Sequence, residues 1–376
     1  MAKFKKPSHE EVATVANKFP LVSVIIPMYN SAKFITQTLE SLVRQTMTNF
    51  EIVIVDDCST DNSIEVVKGF ADRFGRRLHV IRLNENSGTP NFPRNVGIQY
   101  AHGKYVAFLD SDDLFTPTAL EEQVTLAEKY KADVVHMDAT FNLWDNQPKS
   151  EDDPAMTDMD ALLDKSNMII WTPPAAQKLQ EPTFDPLNLA ERLKLWLKYG
   201  WRWVTYSSFC RRDFLIANQI FFPDMLGGGD MLFSFKILCT ARKILRVPNI
   251  TYIIRPRAGS VSREKSKFDV PKYLHKWINT FITGTNEYDK IMRRMEFFKK
   301  RPDYRYAVTG FFFRKTLRMI PTIYSKIQAF KLNEIVKREF HPDDAVFAAY
   351  LFNTVNVQRL QLARLQRELN ALKKSK

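Results

Sequence analysis

Cysteine is scarce in this 376-residue chain, and its placement excludes more than its number does. Cys58, Cys210 and Cys239 lie far apart and form no C-x-x-C pair. That argues against a disulfide framework or a thiolate zinc site and fits a reducing compartment. The six histidines are equally scattered, with no H-x-x-x-H spacing for a metal. No apolar run approaches the roughly 18 residues that a membrane span needs. The charged residues 1–7 have no apolar stretch behind them, so no secretory signal is read there. The expected location is cytoplasmic, with any membrane contact peripheral, at the inner face. A Gly-rich phosphate loop is also missing: Pro27-Met28-Tyr29-Asn30 follows the first apolar run where G-x-G-x-x-G would stand. This counts against a dinucleotide-dependent dehydrogenase and weakens the case for a sugar-1-phosphate nucleotidyltransferase.

What is present starts with a 45% apolar content, enough for a well-filled core, and a net charge of +13. The charge is uneven: residues 292–376 hold 19 Lys/Arg against 7 Asp/Glu. Such a surface suits anionic lipid headgroups, an acidic polymer or nucleic acid, or is simply a solvated helical face. No nucleic-acid recognition motif accompanies it, so nucleic acid ranks last.

Short apolar runs at 21–27, 51–56, 78–83, 104–110 and 132–137 read as buried strands. Helical patterns follow Ser31, a candidate cap, and recur at 64–74, 93–101 and 117–130. This βαβα order implies a mostly parallel sheet covered on both faces. Residues 141–186 break the rhythm with Asp, Pro and Asn and read as a long loop or insertion. Helix is expected again at 187–197 and almost throughout beyond 270. After Pro342, residues Ala348, Leu351, Val355, Gln358, Leu362, Leu365, Leu369 and Leu372 recur at alternating spacings of three and four. That is a coiled-coil seam for self-association, or a helix packed on its own domain.

Two acidic clusters close two of the strands: Ile54-Val55-Asp56-Asp57 and Phe108-Leu109-Asp110-Ser111-Asp112-Asp113. In open α/β sheets ligands bind outside the carboxyl ends of the strands. Carboxylates crowded there repel one another unless something positive lies between them. A hard divalent cation carrying a phosphorylated substrate meets that need.

Several blocks in order carry a resemblance: Val24-Ile25-Ile26-Pro27-Met28-Tyr29-Asn30, Glu40-Ser41-Leu42-Val43-Arg44-Gln45-Thr46, Val55-Asp56-Asp57-Cys58-Ser59-Thr60-Asp61 and Asn86-Ser87-Gly88. Arg94-Asn95-Val96-Gly97, Ala101-His102-Gly103-Lys104-Tyr105 and Leu109-Asp110-Ser111-Asp112-Asp113 follow. The chain resembles a family 2, GT-A-fold inverting glycosyltransferase of the bacterial surface-polysaccharide type. The specific match covers the first third, and a looser one runs to about residue 262.

The resemblance implies an α/β, Rossmann-like GT-A fold with a mixed, mostly parallel sheet, plus a helical C-terminal region ending in a coiled coil. The expected organisation is an extension (1–20), a GT-A domain (21–265), a basic helical region (266–341) and an amphipathic helix (342–376). Within the GT-A domain, 21–137 would bind the nucleotide sugar and 138–265 the acceptor. It also implies a nucleotide-diphosphate donor, UDP-linked, and a glycan or lipid-linked acceptor, with Mn²⁺ or Mg²⁺ as cofactor. Asp57 would read the base, alongside backbone at Pro27, Tyr29 and Asn30, or else cap the segment starting near Ser59. Asp110 or Asp112 would contact the ribose, Asp112 or Asp113 the metal, and Arg94 a phosphate oxygen or the base, unless it forms a surface ion pair. Arg255 or Arg257 would clamp the diphosphate. Asp230 aligns with the catalytic base, or caps the helix that follows, and Gly229 stands where many relatives carry Glu. Five of six tryptophans, Trp144, Trp171, Trp196, Trp201 and Trp203, fall in the acceptor half and suit sugar stacking or a subdomain core. The alternative function is a catalytically inactive sugar-nucleotide sensor or oligomeric scaffold, favoured by the coiled coil and Gly229.

Overall fold

The computed structural model describes residues 19–143, 158–171, 179–199, 204–225, 227–255 and 270–317, with 358, 360–368 and 370 near the C-terminus. Its strands are β1 (Val22–Met28), β2 (Phe50–Asp56), β3 (Leu78–Arg82), β4 (Tyr105–Phe108), β5 (Leu114–Phe115), β6 (Val134–Met137) and β7 (Thr140–Leu143). The chain continues with β8 (Met168–Trp171), β9 (Thr183–Phe184), β10 (Ser208–Arg211), β11 (Ile244–Val247) and β12 (Tyr252–Ile254). The five strands expected from apolar runs are β1–β4 and β6, each within two residues of its expected bounds.

Period-two alternation explains why these runs become strands buried on both faces. Val24 and Ile26 of β1 join Ile52, Ile54 and Leu39 in one core, beneath the helix Ile35–Val43. Ile25, one residue out of phase, joins Val106, Phe108, Ile98 and Phe233 in a second core on the opposite face. The helix Asn91–Tyr100 lies so close to β1 that a Cβ on Gly97 would sit 2.4 Å from Ile25 Cγ2. The glycine of the Arg94-Asn95-Val96-Gly97 block is therefore a packing requirement.

The main sheet runs β3-β2-β1-β4-β10-β6-β11-β9. β1 is parallel to β2 and β4, β2 to β3, and β6 to β11. β10 enters antiparallel between β4 and β6, and β9 runs antiparallel to β11. Because β10 is reversed, its N-terminal end lies at the edge where β1, β2 and β4 finish. A second sheet, β5-β12-β7-β8, returns β12 beside β5, immediately after the Asp110–Asp113 turn. The helix expected at 64–74 is broken into Ser63–Lys68 and Ala71–Phe74 at Gly69, a weak helix former.

Helices Val270–Arg294, Glu296–Lys300 and Pro302–Leu317 continue the chain. Tyr288, Met292, Phe298, Tyr304 and Val308 pack with Trp196 and Phe235 in a third core, which ties the basic segment to helices Leu189–Tyr199 and Gly229–Thr240. The C-terminal stretch 358–370 is helical where described, with Leu362 and Leu365 exposed. The rest of the heptad pattern lies outside the described residues.

At the opposite end of the sheet from the acidic clusters, Glu51 is buried beside β1. It accepts from Ser23 Oγ at 2.5 Å and the His102 N–H at 2.6 Å, with His79 Nε2 and His102 Nδ1 each 3.4 Å away. A Cβ on Gly103 would lie 2.5 Å from Ser23 N, so the Ala101-His102-Gly103 block serves this junction. Burial pushes the Glu51 carboxyl up, but His79, Ser23 and His102 together outweigh it and bring it down from 4.5 to about 2. A carboxyl lowered on folding contributes stability above its unfolded pKa, and that contribution is lost as pH falls from about 4.5 through about 2. Glu51→Gln is expected to cost on the order of 2–3 kcal/mol at neutral pH and to flatten stability across that acid window, read by urea melts against pH.

Candidate active site

The first wall of the site forms where β1 and β2 end. The Asp57 N–H donates to Met28 O at 2.8 Å, which continues the sheet by one residue and turns the buried Asp57 carboxylate toward the 86–88 loop. There Oδ1 accepts from Ser87 N at 2.9 Å and Oδ2 from Ser87 Oγ at 3.0 Å, while Asn86 Nδ2 donates to Asp57 O at 3.0 Å. Asp57 does not cap the next segment. That task falls to Asp56, which receives the Ser59 N–H at 3.3 Å. Pro27 lies within β1, and Tyr29 is exposed beyond it. Asn30 adopts a left-handed backbone, φ 47°, and its Oδ1 receives Thr60 N at 2.8 Å and Asp61 N at 3.3 Å. Asn30 thus builds the wall through the 59–61 loop.

The second acidic cluster is a turn in which every residue is anchored. Asp110 N donates to the Tyr252 hydroxyl at 3.2 Å. Ser111 is held by Ser31 Oγ at 2.7 Å and, through its carbonyl, by Thr38 Oγ1 at 3.1 Å. Ser31, expected to cap the first helix, is committed to this turn instead; the helix starts at Ile35 behind Phe34. Arg255 Nε donates to Asp112 O at 2.7 Å. Both Asp113 oxygens are engaged, Oδ1 by the Arg255 N–H at 2.9 Å and Oδ2 by the Tyr252 hydroxyl at 2.8 Å. Burial, reinforced by the charges of Asp112 and Asp110, holds the Asp113 carboxyl well above its ordinary value. Of the two carboxylates expected on a metal, Asp113 braces the turn with both oxygens, whereas the Asp112 side chain is only partly buried. Among the described residues no three His, Cys, Asp or Glu side chains form a ready-made metal cluster.

Two arginines expected on the donor are turned into the protein. Arg255 is buried, and besides Asp112 it donates to Gln37 Oε1 at 3.3 Å and Phe34 O at 2.9 Å. Its charge supports the acidic turn from behind. Arg94, only 4% exposed, donates through Nη2 to Asp110 Oδ1 at 2.6 Å and through Nη1 to Asp230 Oδ1 at 3.1 Å. Its guanidinium lies over the Phe222 ring at 5.4 Å. It bridges two carboxylates inside the protein rather than forming a surface ion pair.

Asp230 sits in the first turn of the helix Gly229–Thr240, where the backbone dipole favours a negative charge. It does not cap that helix: the N-cap is Gly228, in a left-handed conformation at φ 75°. Its carboxylate turns to Arg94 and to Thr205 Oγ1 at 2.6 Å. Burial raises the Asp230 carboxyl above its ordinary value, against the opposing pull of Arg94 and the Thr205 hydrogen bond. The segment leading to it is clasped by one face of the helix Asn91–Tyr100. Asn95 exchanges two hydrogen bonds with the Phe222 backbone, at 3.0 and 2.8 Å, and Asn91 Nδ2 donates to Met225 O at 3.0 Å. Asn91, Arg94 and Asn95 thus act as a unit at the i, i+3, i+4 spacing of one helical face.

The structure therefore joins Arg94, Asp110, Asp112, Asp113, Asp230 and Arg255 in one network, with Asp57, Pro27, Tyr29 and Asn30 forming the β1–β2 wall. Arg257 lies outside the described residues, as do Trp144, Trp201 and Trp203. Trp196 is a core residue. Three participants were not singled out from sequence. Ser87 lies inside a quoted block that suggested no role, Tyr252 lies three residues before Arg255, and Thr205 lies in a stretch with no motif at all.

The sequence and the fold match known proteins. Residues 23–183 match the family model described as Glycosyl transferase family 2. The poly(ribitol-phosphate) β-N-acetylglucosaminyltransferase TarS of Staphylococcus aureus (strain Mu50) is 42% identical over 115 residues, which are 30% of this chain and 20% of that protein. The chain thus spans about a fifth of the length of that relative. The glycosyltransferase YibD of Escherichia coli K12, itself uncharacterized, is 29% identical over 280 residues, covering 73% of this chain and 70% of its own. A crystal structure of TarS residues 1–349 in complex with UDP-GlcNAc superposes with a TM-score of 0.58 at 22% identity, covering 84% of this chain and 78% of that one. That likeness establishes a shared GT-A fold with a mixed sheet. Residues 23–183 constitute a glycosyl transferase family 2 domain.

Gly229, the departure from the resemblance, has a steric cause. A Cβ there would lie 2.5 Å from both Asn91 Nδ2 and Oδ1. Gly229→Ala should therefore destabilise the protein by about 1–3 kcal/mol through overpacking. In combination with Asn91→Ala it should cost less than the sum of the two single changes, a coupling that a double-mutant cycle in urea would measure.

Proposed function

We propose that this protein transfers a sugar, with inversion, from a UDP-linked donor to a hydroxyl of a glycan or lipid-linked acceptor, with Asp230 as general base. One observation carries the reading. A half-exposed carboxylate at a helix N-terminus is joined by a single buried guanidinium to the carboxylate that ends β4, so an acceptor-side base and the donor-side turn share one rigid frame. Asp57, fixed by Ser87 and Asn86, is positioned to accept the imide N–H of a uracil. Asp110 reaches the ribose from the head of the turn. Asp112 would hold Mn²⁺ or Mg²⁺, a hard cation suited to carboxylate and diphosphate oxygens. When bound, that ion neutralises charge on the departing diphosphate. Asp230 takes the proton of the acceptor hydroxyl as its oxygen attacks the anomeric carbon in line, and the bond from that carbon to the diphosphate oxygen breaks.

TarS, similar over 115 residues of this chain, is named for transfer to poly(ribitol-phosphate), an anionic polymer. The basic C-terminal quarter suits such an acceptor, or an anionic membrane surface carrying one. The exposed Leu362 and Leu365 on the C-terminal helix suit pairing with a second copy. Among the described residues no helix is long and apolar enough to cross a membrane.

Calorimetry with UDP and GDP, each with and without Mn²⁺, tests the donor site without knowledge of the acceptor. Wild type should bind UDP more tightly with metal, and Asp112→Asn should lose the metal-dependent gain. No binding of either nucleotide by folded protein would overturn the reading. Asp230→Asn should keep nucleotide binding and lose about 10²–10⁴-fold in transfer; unchanged transfer would remove the base assignment. The base works ionised, and burial raises its pKa above the ordinary 3.8. The acid limb of kcat should therefore fall above that value, with activity lost as pH drops through it.

A further inference from the structure

We infer that Thr205 is a positioning residue that determines which oxygen of Asp230 receives the acceptor proton. The inference rests on Asp230 being the base and goes one atom further. Both donors that reach the carboxylate converge on the same oxygen: Arg94 Nη1 at 3.1 Å and Thr205 Oγ1 at 2.6 Å, each to Oδ1. A carboxylate oxygen has two in-plane lone pairs, so two donors occupy Oδ1 fully. No described residue donates to Oδ2, and the side chain is 35% exposed, so Oδ2 is the oxygen whose lone pairs no described donor occupies. The acceptor hydroxyl meets Oδ2.

Arg94 alone would not enforce this choice. Its Nη1 bond is the longer of the two, and its Nη2 is drawn to Asp110 at 2.6 Å, so it tolerates rotation of the Asp230 carboxylate about its Cβ–Cγ bond. The shorter bond comes from a rigid support. Thr205 is 1% exposed and opens a single 3₁₀ turn, Thr205–Ser207, leading directly into β10. β10 is clamped between β4 and β6. The next residue, Tyr206, stacks on Tyr252 at 4.1 Å with the rings 14° from parallel, and the Tyr252 hydroxyl donates to Asp113. The hydroxyl that orients the base thus belongs to the same framework as the acidic turn. The charged groups facing the base are Arg94 and, beyond it, Asp110. A donated hydrogen bond also favours the ionised carboxylate, so losing it moves the base toward a higher pKa.

Thr205→Val keeps the shape and removes the donor. Its kcat should fall roughly 10–100-fold, the range for one hydrogen bond to a charged group, with KM for the nucleotide sugar unchanged. The acid limb of kcat should move to higher pH. Thr205→Ser, which restores the hydroxyl, should return both toward wild type. Nucleotide binding by calorimetry certifies that each variant is folded. Should Val not fold, Thr205→Ala, which opens space rather than filling it, carries the same expectation. A folded Val or Ala variant with wild-type kcat and an unmoved acid limb would overturn the inference. So would a Ser variant as impaired as Val, because packing rather than the hydroxyl would then matter. Asp230→Asn run in parallel separates the two levels. If it retains transfer, the base reading itself fails; if it is inactive while Thr205→Val is normal, only the role of Thr205 fails.

Discussion

The buried guanidinium of Arg94 holds together parts of the chain that sequence separation would otherwise leave independent. A cation this deeply buried is tolerated only when it is paired and hydrogen-bonded. Asp110 and Asp230 satisfy that condition together, and each needs Arg94 in turn because two carboxylates brought this close would repel. Removing Arg94 leaves two carboxylates facing each other, and removing either carboxylate leaves the guanidinium with one partner where it had two. The acidic turn and the proposed base are therefore positioned by mutual electrostatic necessity, and the packing around them serves to keep that triad in register.

That packing has a consistent logic. The helix carrying Arg94 is pressed onto β1 at Gly97, so its height above the sheet is fixed by backbone contact. From there Asn91 and Asn95 reach the 222–225 segment, and Arg94 reaches beyond it to Asp230. On the other side, Tyr252 and Arg255 approach the acidic turn from the small sheet. The turn is thus gripped by β1-side hydroxyls, by the Arg94 helix and by β12. Such rigidity is what a cation site and an in-line transfer both require, since misplacement by about 1 Å can cost 10²-fold in rate.

Much of this was legible before any coordinates. Strands β1, β2 and β4 were visible as apolar runs because they are buried on both faces, and the acidic clusters at their ends marked the site edge. The reversed strand β10 was not legible, because Ser208-Phe209-Cys210-Arg211 is short and has no apolar run. The small sheet, with strands of two to four residues, escaped for the same reason. The resemblance puts Arg94 and Arg255 on the donor. Sequence shows a charge and not its direction, and only the fold reveals that both point inward. Asp112 and Asp113 looked equivalent until the Tyr252 hydroxyl and the Arg255 N–H were seen to engage both oxygens of Asp113. Thr205 carried no signal, since one threonine ahead of a short strand resembles any other.

Asp230, the proposed base, illustrates how opposing effects can be balanced in one residue. A guanidinium beside a carboxylate favours the ionised form and so weakens it as a base, and a hydroxyl donor does the same. Both are needed to orient it. Burial acts the other way, because it penalises the charge, and here it prevails: the Asp230 carboxyl lies above its ordinary value although two donors oppose the rise. Orientation alone, obtained with Arg94 on a solvated surface, would have left a well-placed but feeble base. Burial alone would have given a stronger base with no fixed direction and no partner for its charge. The arrangement of Phe222 beneath the guanidinium, Thr205 at the sheet edge and Asp230 at a helix N-terminus supplies both properties.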